Sequence, residues 1–256
     1  MYNDLFRIGS LTIHSYGVMI SIGILFAILL ATKRTKSKGL NTDHVLNIII
    51  LCMVFGFLGA KILYCIVELP TFLENPMSFF SGSGFVVYGG IIGGLIAAIL
   101  YCRIKKINFL NYFDLMIPSV ALAQGFGRIG CFLAGCCYGK ETNSFFGVTF
   151  HNSEIAPNGV KLIPTQLFSS AGDFLIMAIL LVYAKKERKA GKVGAVYLIL
   201  YSIGRFIIEY FRNDYRGNVG GFLSTSQFIS LIIIIAGGLF LLLDTVKFKK
   251  VKHNNT

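Results

Sequence analysis

The chain has 256 residues, 55% of them hydrophobic and only 14% charged, and its mean hydropathy is +0.70. A soluble domain carries about 25% charged residues, so the composition excludes a water-soluble enzyme and predicts an all-α, polytopic integral membrane bundle. A net charge of +12 invites a nucleic-acid partner, but the distribution of that charge argues for a membrane role instead.

Residues 1–11 are mildly amphipathic and too polar for a signal peptide, and no small-residue cleavage site follows them. About 20 apolar residues cross the hydrocarbon core of a bilayer. Seven runs approach that length, at residues 13–31, 45–67, 85–102, 112–138, 167–184, 194–211 and 228–246. They are read as one membrane domain over residues 1–256. The first run holds His14 and Tyr16 and ends before Lys33, Arg34, Lys36 and Lys38. The second contains Lys61, and the loop after it has Glu68 and Glu74 but no Lys or Arg. The third carries Tyr88-Gly-Gly-Ile-Ile-Gly-Gly94 and closes on Arg103, Lys105 and Lys106. The fourth holds Gln124-Gly-Phe-Gly-Arg-Ile-Gly-Cys-Phe-Leu-Ala-Gly-Cys-Cys-Tyr-Gly139. The fifth ends in Lys185, Lys186, Arg188, Lys189 and Lys192. The sixth contains Arg205 and Glu209 and leads to Arg212, Asp214 and Arg216. Lys247, Lys249, Lys250 and Lys252 follow the seventh.

Alternate loops and the tail therefore hold sixteen of the 24 Lys and Arg residues. The other face holds five, namely Arg7, Lys140, Lys161, Arg212 and Arg216. Basic loops stay on the cytoplasmic side, which puts the N-terminus outside and the C-terminus inside. The fourth run then points outward, and Gly139, Tyr88, Arg205 and Glu209 all converge at outer-leaflet depth. The charge mainly sets topology and meets anionic lipid. No nucleic-acid module and no internal repeat is present.

An arginine at a helix centre costs roughly 2.5–3.5 kcal/mol on insertion scales, so Arg128 is expected to face protein, water or an anion. Arg205 and Glu209 stand at i and i+4 and can pair as a structural ion pair. With Tyr201 and Arg212 they form a polar stripe that must face the bundle interior or a wet cavity. Two arginines with few carboxylates nearby suggest an anion site, because a phosphate fits the guanidinium fork. Gly89, Gly90, Gly93 and Gly94 have small-residue spacing for helix packing, or else thin a wall that admits a lipid head group. Cys131, Cys136 and Cys137 are spaced five and one apart. That is not a CxxC pattern and no His stands at useful spacing, so no metal is expected. They are either small apolar filler or, near an oxidising face, a disulfide or a reactive thiol. His14 and His151 read as interfacial and solvated, and Lys61 as snorkelling or paired with a carboxylate.

Taken together, His14-Ser-Tyr-Gly17, the third-run glycines, Gln124-Gly-Phe-Gly-Arg-Ile-Gly-Cys-Phe132, Pro164-Thr-Gln-Leu-Phe168, Tyr201-Ser-Ile-Gly-Arg-Phe-Ile-Ile-Glu-Tyr-Phe-Arg212 and Ser226-Gln-Phe-Ile-Ser230 resemble the bacterial prolipoprotein diacylglyceryl transferase family. The resemblance covers nearly the whole chain. It implies transfer of a diacylglyceryl group from phosphatidylglycerol to the lipobox cysteine thiol of exported prolipoproteins in the bacterial cytoplasmic membrane. A thioether forms, glycerol phosphate leaves, and no dissociable cofactor is needed. It implies catalytic roles for Tyr16, Tyr88, Arg128, Arg205 and Glu209, with Cys136 added as a thiol candidate. It implies lipid or phosphate contacts from Arg128, Arg205, Tyr201, Arg212, Gly89, Gly90 and Gly139. Partners are phosphatidylglycerol, lipobox-bearing preproteins and membrane lipids.

The sequence departs from the family pattern where it matters chemically. Tyr88 stands where the family usually has His, Cys131 where it has Asn, and Ala134-Gly135-Cys136 where it has Asn-Gly-Glu. Tyrosine, with a reference pKa of about 10, is a poor base at neutral pH. The alternative expectation is a divergent paralogue using another acceptor or cysteine chemistry at the same lipid site.

Overall fold

The structure is a computed structural model that describes residues 4–8, 11–74, 77, 84–213, 218–219 and 223–253. Asp214 and Arg216 lie outside the described residues, as do the side chains of Arg7 and of the basic tail. Eight helices and three small two-stranded sheets occur among the described residues. Strand β1 (Asp4–Ile8) pairs antiparallel with β2 (Leu11–His14), which runs into helix α1 (Ser15–Ser37). Helices α2 (Thr42–Val67), α3 (Leu69–Glu74), α4 (Val87–Ile104) and α5 (Phe109–Leu133) follow. Next come the hairpin of β3 (Val148–Thr149) and β4 (Lys161–Leu162), then α6 (Thr165–Tyr183) and α7 (Lys192–Glu209). The last elements are β5 (Asn218–Val219), β6 (Leu223–Ser224) and α8 (Thr225–His253).

Six helices are long and apolar enough to cross a membrane: α1, α2, α4, α5, α6 and residues 225–243 of α8. The seventh expected span, α7, has the length but carries Lys192, Arg205 and Glu209 within its 18 residues. The surface is apolar, with Phe26, Leu29, Ile50, Phe57, Ile91 and Ile96 all exposed. The buried set includes Lys61, Asp114, Gln166, Asp173 and Arg212. This inversion is what an all-α integral membrane protein requires. Lipid solvates the apolar side chains, and polar groups must find partners inside.

The chain separates into two compact units, residues 31–113 and residues 1–30 with 114–256. In the first, α2 and α4 pack along a glycine seam. A Cβ added to Gly89 would collide with the carbonyl of Gly59, and one on Gly93 with the carbonyl of Phe55. Gly90 faces the carbonyl of Gly56 at 3.2 Å from a Cβ position. The third-run glycines thus bring two backbones together, the small-residue packing of membrane helices. Asn41 opens α2, its Oδ1 accepting from Asp43 N at 2.7 Å. Lys61 does not snorkel: it is 2% exposed, with its ammonium 4.3 Å from the ring centre of Phe85.

In the second unit, α5 is the central element. Gly23 of α1 lies against Phe126 and Ala123, and Phe126 stacks on Phe26 at 5.5 Å and meets Phe174 of α6 edge-on at 5.5 Å. Gly125 gives room to that Phe174 ring. Asp114 accepts from Gly191 N at 2.8 Å and Gly194 N at 2.7 Å, so a buried carboxylate caps the start of α7. Anionic groups are favoured at that end of a helix.

Replacing Gly89 by Val should force α2 and α4 apart. Overpacking of this kind costs about 1–3 kcal/mol. Thermal melts in detergent should show a lowered midpoint for Gly89→Val and none for Gly238→Ala, which meets nothing within 4 Å. Equal melts for both variants would refute the seam.

Candidate active site

The sequence reading carries the fourth span to Tyr138, but α5 stops at Leu133. Gly135 takes φ +70°, a left-handed conformation that glycine adopts without strain. Its N–H donates to Phe132 O at 3.1 Å and the next, Cys136 N–H, reaches Cys131 O at 3.1 Å. This pair of bonds is the Schellman ending. It folds the chain back so that Cys136 returns to Cys131.

Cys137 follows with φ +62°. A non-glycine residue there costs roughly 1–2 kcal/mol, so the surroundings must hold it. Thr165 Oγ1 donates to Cys137 O at 2.8 Å and Gln166 Nε2 to Cys136 O at 2.7 Å. Gly139 N donates to Ile163 O at 3.0 Å and Lys140 N to Phe211 O at 2.8 Å, which ties the loop to the chain beyond α7. Phe132 and Tyr138 also pack on a small core of Phe150, Ala156 and Leu162 beneath the hairpin. The three sulfurs of Cys131, Cys136 and Cys137 come within 4.8 Å of one another. The spacing argument did not anticipate this, because the contact is made by the turn and not by a helix period. Hydrogen bonds with Cys131 and Cys136, joined by one from the Arg212 guanidinium, draw the Cys137 thiol below its ordinary pKa. The Cys136 thiol is pushed up, chiefly by its hydrogen bond with Cys131.

Beside this loop lies a cavity of about 200 Å³ lined by Arg128, Ser169, Asp173, Tyr201, Arg205 and apolar groups including Phe168 and Ile208. Both expected arginines therefore meet in one space. Arg205 Nη2 pairs with Glu209 Oε2 at 2.8 Å and donates to Ser226 Oγ at 3.0 Å. Ser224 Oγ donates to Glu209 Oε1 at 2.9 Å. Arg128 interacts electrostatically with Tyr201, Cys131, Asp173 and Cys137. Tyr201 stacks on Tyr197, whose hydroxyl donates to Gln124 Oε1 at 2.7 Å. A second, apolar hollow of about 380 Å³ shares Phe168 and Ile208 with the first.

Of the other expected site residues, Tyr16 borders the thiol loop, its ring against Gly130, and interacts with Cys131, Cys136 and Cys137. Arg212 does not continue the stripe of Tyr201 and Arg205. The helix ends at Glu209, and Arg212 bridges to Gly139 with its side chain turned to Cys137. Tyr88, Gly89 and Gly90 belong to the unit of residues 31–113, where the two glycines face α2. Sequence reasoning missed Asp173 and counted too few carboxylates around the arginines. The signal was there: it is the one charged residue of α6, and a lone acid in an apolar span marks a functional position.

Residues 3–243 match the family model described as prolipoprotein diacylglyceryl transferase. The chain belongs to that family. It is 52% identical over 234 residues to a phosphatidylglycerol–prolipoprotein diacylglyceryl transferase of Clostridium tetani, covering 91% of this chain and 94% of that protein. It is 50% identical over 246 residues to phosphatidylglycerol–prolipoprotein diacylglyceryl transferase 2 of Clostridium perfringens, covering 95% and 96%. A Clostridioides difficile protein of the same printed name is 36% identical over 252 residues, covering 98% and 96%. The family relationship thus spans both arginines and the thiol loop of this chain.

Gly135→Ala tests the loop that holds the thiols. The added Cβ would sit in left-handed backbone and strike Ser153 Oγ. Such strain costs roughly 1–2 kcal/mol. The variant should melt earlier and its cysteines should react faster with iodoacetamide, read by mass spectrometry. An unchanged labelling rate would show that the turn does not restrain them.

Proposed function

We propose that this chain is a membrane transferase that moves the diacylglyceryl group of phosphatidylglycerol onto the lipobox cysteine of exported prolipoproteins. The observation that carries the reading is the pairing of Arg128 and Arg205 on one cavity with an apolar wall. A phospholipid head group needs cationic donors in fork geometry, and its acyl chains need apolar cover. Phe168 and Ile208 supply that cover and lead into the second hollow.

The acceptor sulfur attacks the glyceryl carbon that bears the phosphate. That carbon–oxygen bond breaks, its electron pair stays on the phosphate oxygen, and the proton lost by the thiol ends on the departing glycerol phosphate. Charge grows on the phosphate as the bond breaks. Preorganised guanidinium groups in a water-poor cavity stabilise such charge strongly. Arg128 is a phosphate-binding group. Arg205 is held in place by Glu209 and Ser226, Tyr201 lines the same cavity, and Tyr16 borders the thiol loop. The basic loops put the N-terminus outside, the C-terminus in the cytoplasm and α7 across the bacterial cytoplasmic membrane as the seventh span. The cavity then opens to the outer leaflet, where exported preproteins arrive.

The test is a transfer assay with purified protein in phosphatidylglycerol micelles and a lipobox peptide, read by mass spectrometry of the thioether. Wild type should modify the peptide. Arg128→Ala should fall by about 10²–10³-fold, the scale of one lost charge-stabilising donor, and Arg128→Lys should recover only part because the fork is gone. An unmodified peptide with folded, detergent-stable wild type would overturn the assignment, and full activity in Arg128→Ala would overturn the role of that arginine.

A further inference from the structure

We propose that Cys131, Cys136 and Cys137 form a three-thiolate site for a thiophilic divalent cation of the zinc class, whose open position takes the acceptor thiol. The site rests on geometry, and the acceptor step rests on the transferase reading above. Three sulfurs already lie within 4.8 Å of one another. Tetrahedral zinc, with zinc–sulfur bonds of about 2.3 Å, needs them about 3.8 Å apart. Small side-chain rotations close that gap.

The backbone is built for the cluster. The left-handed residues Gly135 and Cys137 turn the chain back on Cys131, and Thr165 and Gln166 grip the two cysteine carbonyls from α6. Outer partners that fix ligand orientation are a regular part of metal sites. Charge also balances. A divalent ion with three thiolates carries one negative charge, and Arg212 donates to Cys137 while Arg128 interacts with Cys131 and Cys137. Apolar filling, the ordinary role of buried cysteine, does not account for three sulfurs meeting on a strained turn between two arginines.

No fourth His, Cys, Asp or Glu joins the group among the described residues. Three protein ligands with one position open is the pattern of catalytic zinc, whereas structural sites are closed. Cys136 and Cys137 are only half-buried, so the open side is approachable. A thiol that coordinates the ion is deprotonated outright, which supplies the nucleophile without a histidine base. The coordinated sulfur leaves the ion as it forms the carbon–sulfur bond. The phosphate takes the electron pair of the broken carbon–oxygen bond and the proton released on coordination.

The experiment uses the full chain, purified in detergent under reducing, chelator-free conditions, with cobalt(II) as the probe. Expected are thiolate-to-cobalt charge-transfer bands with tetrahedral d–d bands, lost in Cys136→Ser and in Cys137→Ser and kept in Cys65→Ser. Circular dichroism of the serine variants separates loss of the site from loss of the fold. Adding a lipobox peptide without phosphatidylglycerol should strengthen the charge-transfer absorption, and the same peptide with Ser for Cys should not. Absence of thiolate bands in the folded wild type, or a disulfide among the three cysteines when reductant is omitted, would overturn the site. Bands that ignore the peptide would overturn the acceptor step, as would full transfer by metal-stripped protein, which leaves the transferase reading standing. Bands and peptide response without transfer from phosphatidylglycerol would overturn that reading and leave the site.

Discussion

Charge buried in a low-dielectric interior is the constraint on which the site depends. Arg128 and Arg205 are tolerable in such apolar helices only because the fold gives each of them anionic or polar company. Arg205 has Glu209, one turn along its own helix, and Ser226 at the start of α8. Arg128 has Asp173, across the cavity from α6, and the sulfurs of the loop that follows its own helix. A buried charge stripped of its partner costs several kcal/mol. The ion pair and hydrogen bond also fix the orientation of the Arg205 guanidinium.

The second constraint is close approach between helices. In lipid there is no hydrophobic drive to bring helices together, so association depends on packing and hydrogen bonds. Glycines provide the contact in two different ways. Along α2 and α4 they let backbone lie on backbone. Along α5 they leave hollows filled by aromatic rings from other helices, Phe174 at Gly125 and Tyr16 at Gly130. Tyr16 and Asp173 both interact with Arg128.

The loop between α5 and α6 joins these two themes. It is irregular backbone, so its polar groups must be satisfied one by one. Thr165, Gln166, Ile163 and Phe211 do that for the residues from Cys136 to Lys140. The result is a platform of three sulfurs beside Arg128.

Much of this was legible in the sequence. Apolar runs predict helices because lipid-facing segments must satisfy their own backbone, and their lengths follow from bilayer thickness. Arg128, Arg205 and Glu209 were legible because charges in such runs are expensive and so seldom incidental. The Arg205–Glu209 pair needed only the helix repeat. What tertiary structure decided was everything that joins residues without a shared period. Asp173 reaches Arg128 through the packing of α6 on α5. Arg212 leaves the stripe because α7 ends at Glu209. Asp114 caps α7 from α5, a contact between distant segments. The cysteines, unremarkable at a spacing of five and one, meet because a left-handed glycine ends α5 earlier than its apolar run does. Periodicity encodes which face a residue occupies on its own helix. Which other chain segment that face meets is set by packing and by the turns between helices, and no local pattern carries that information.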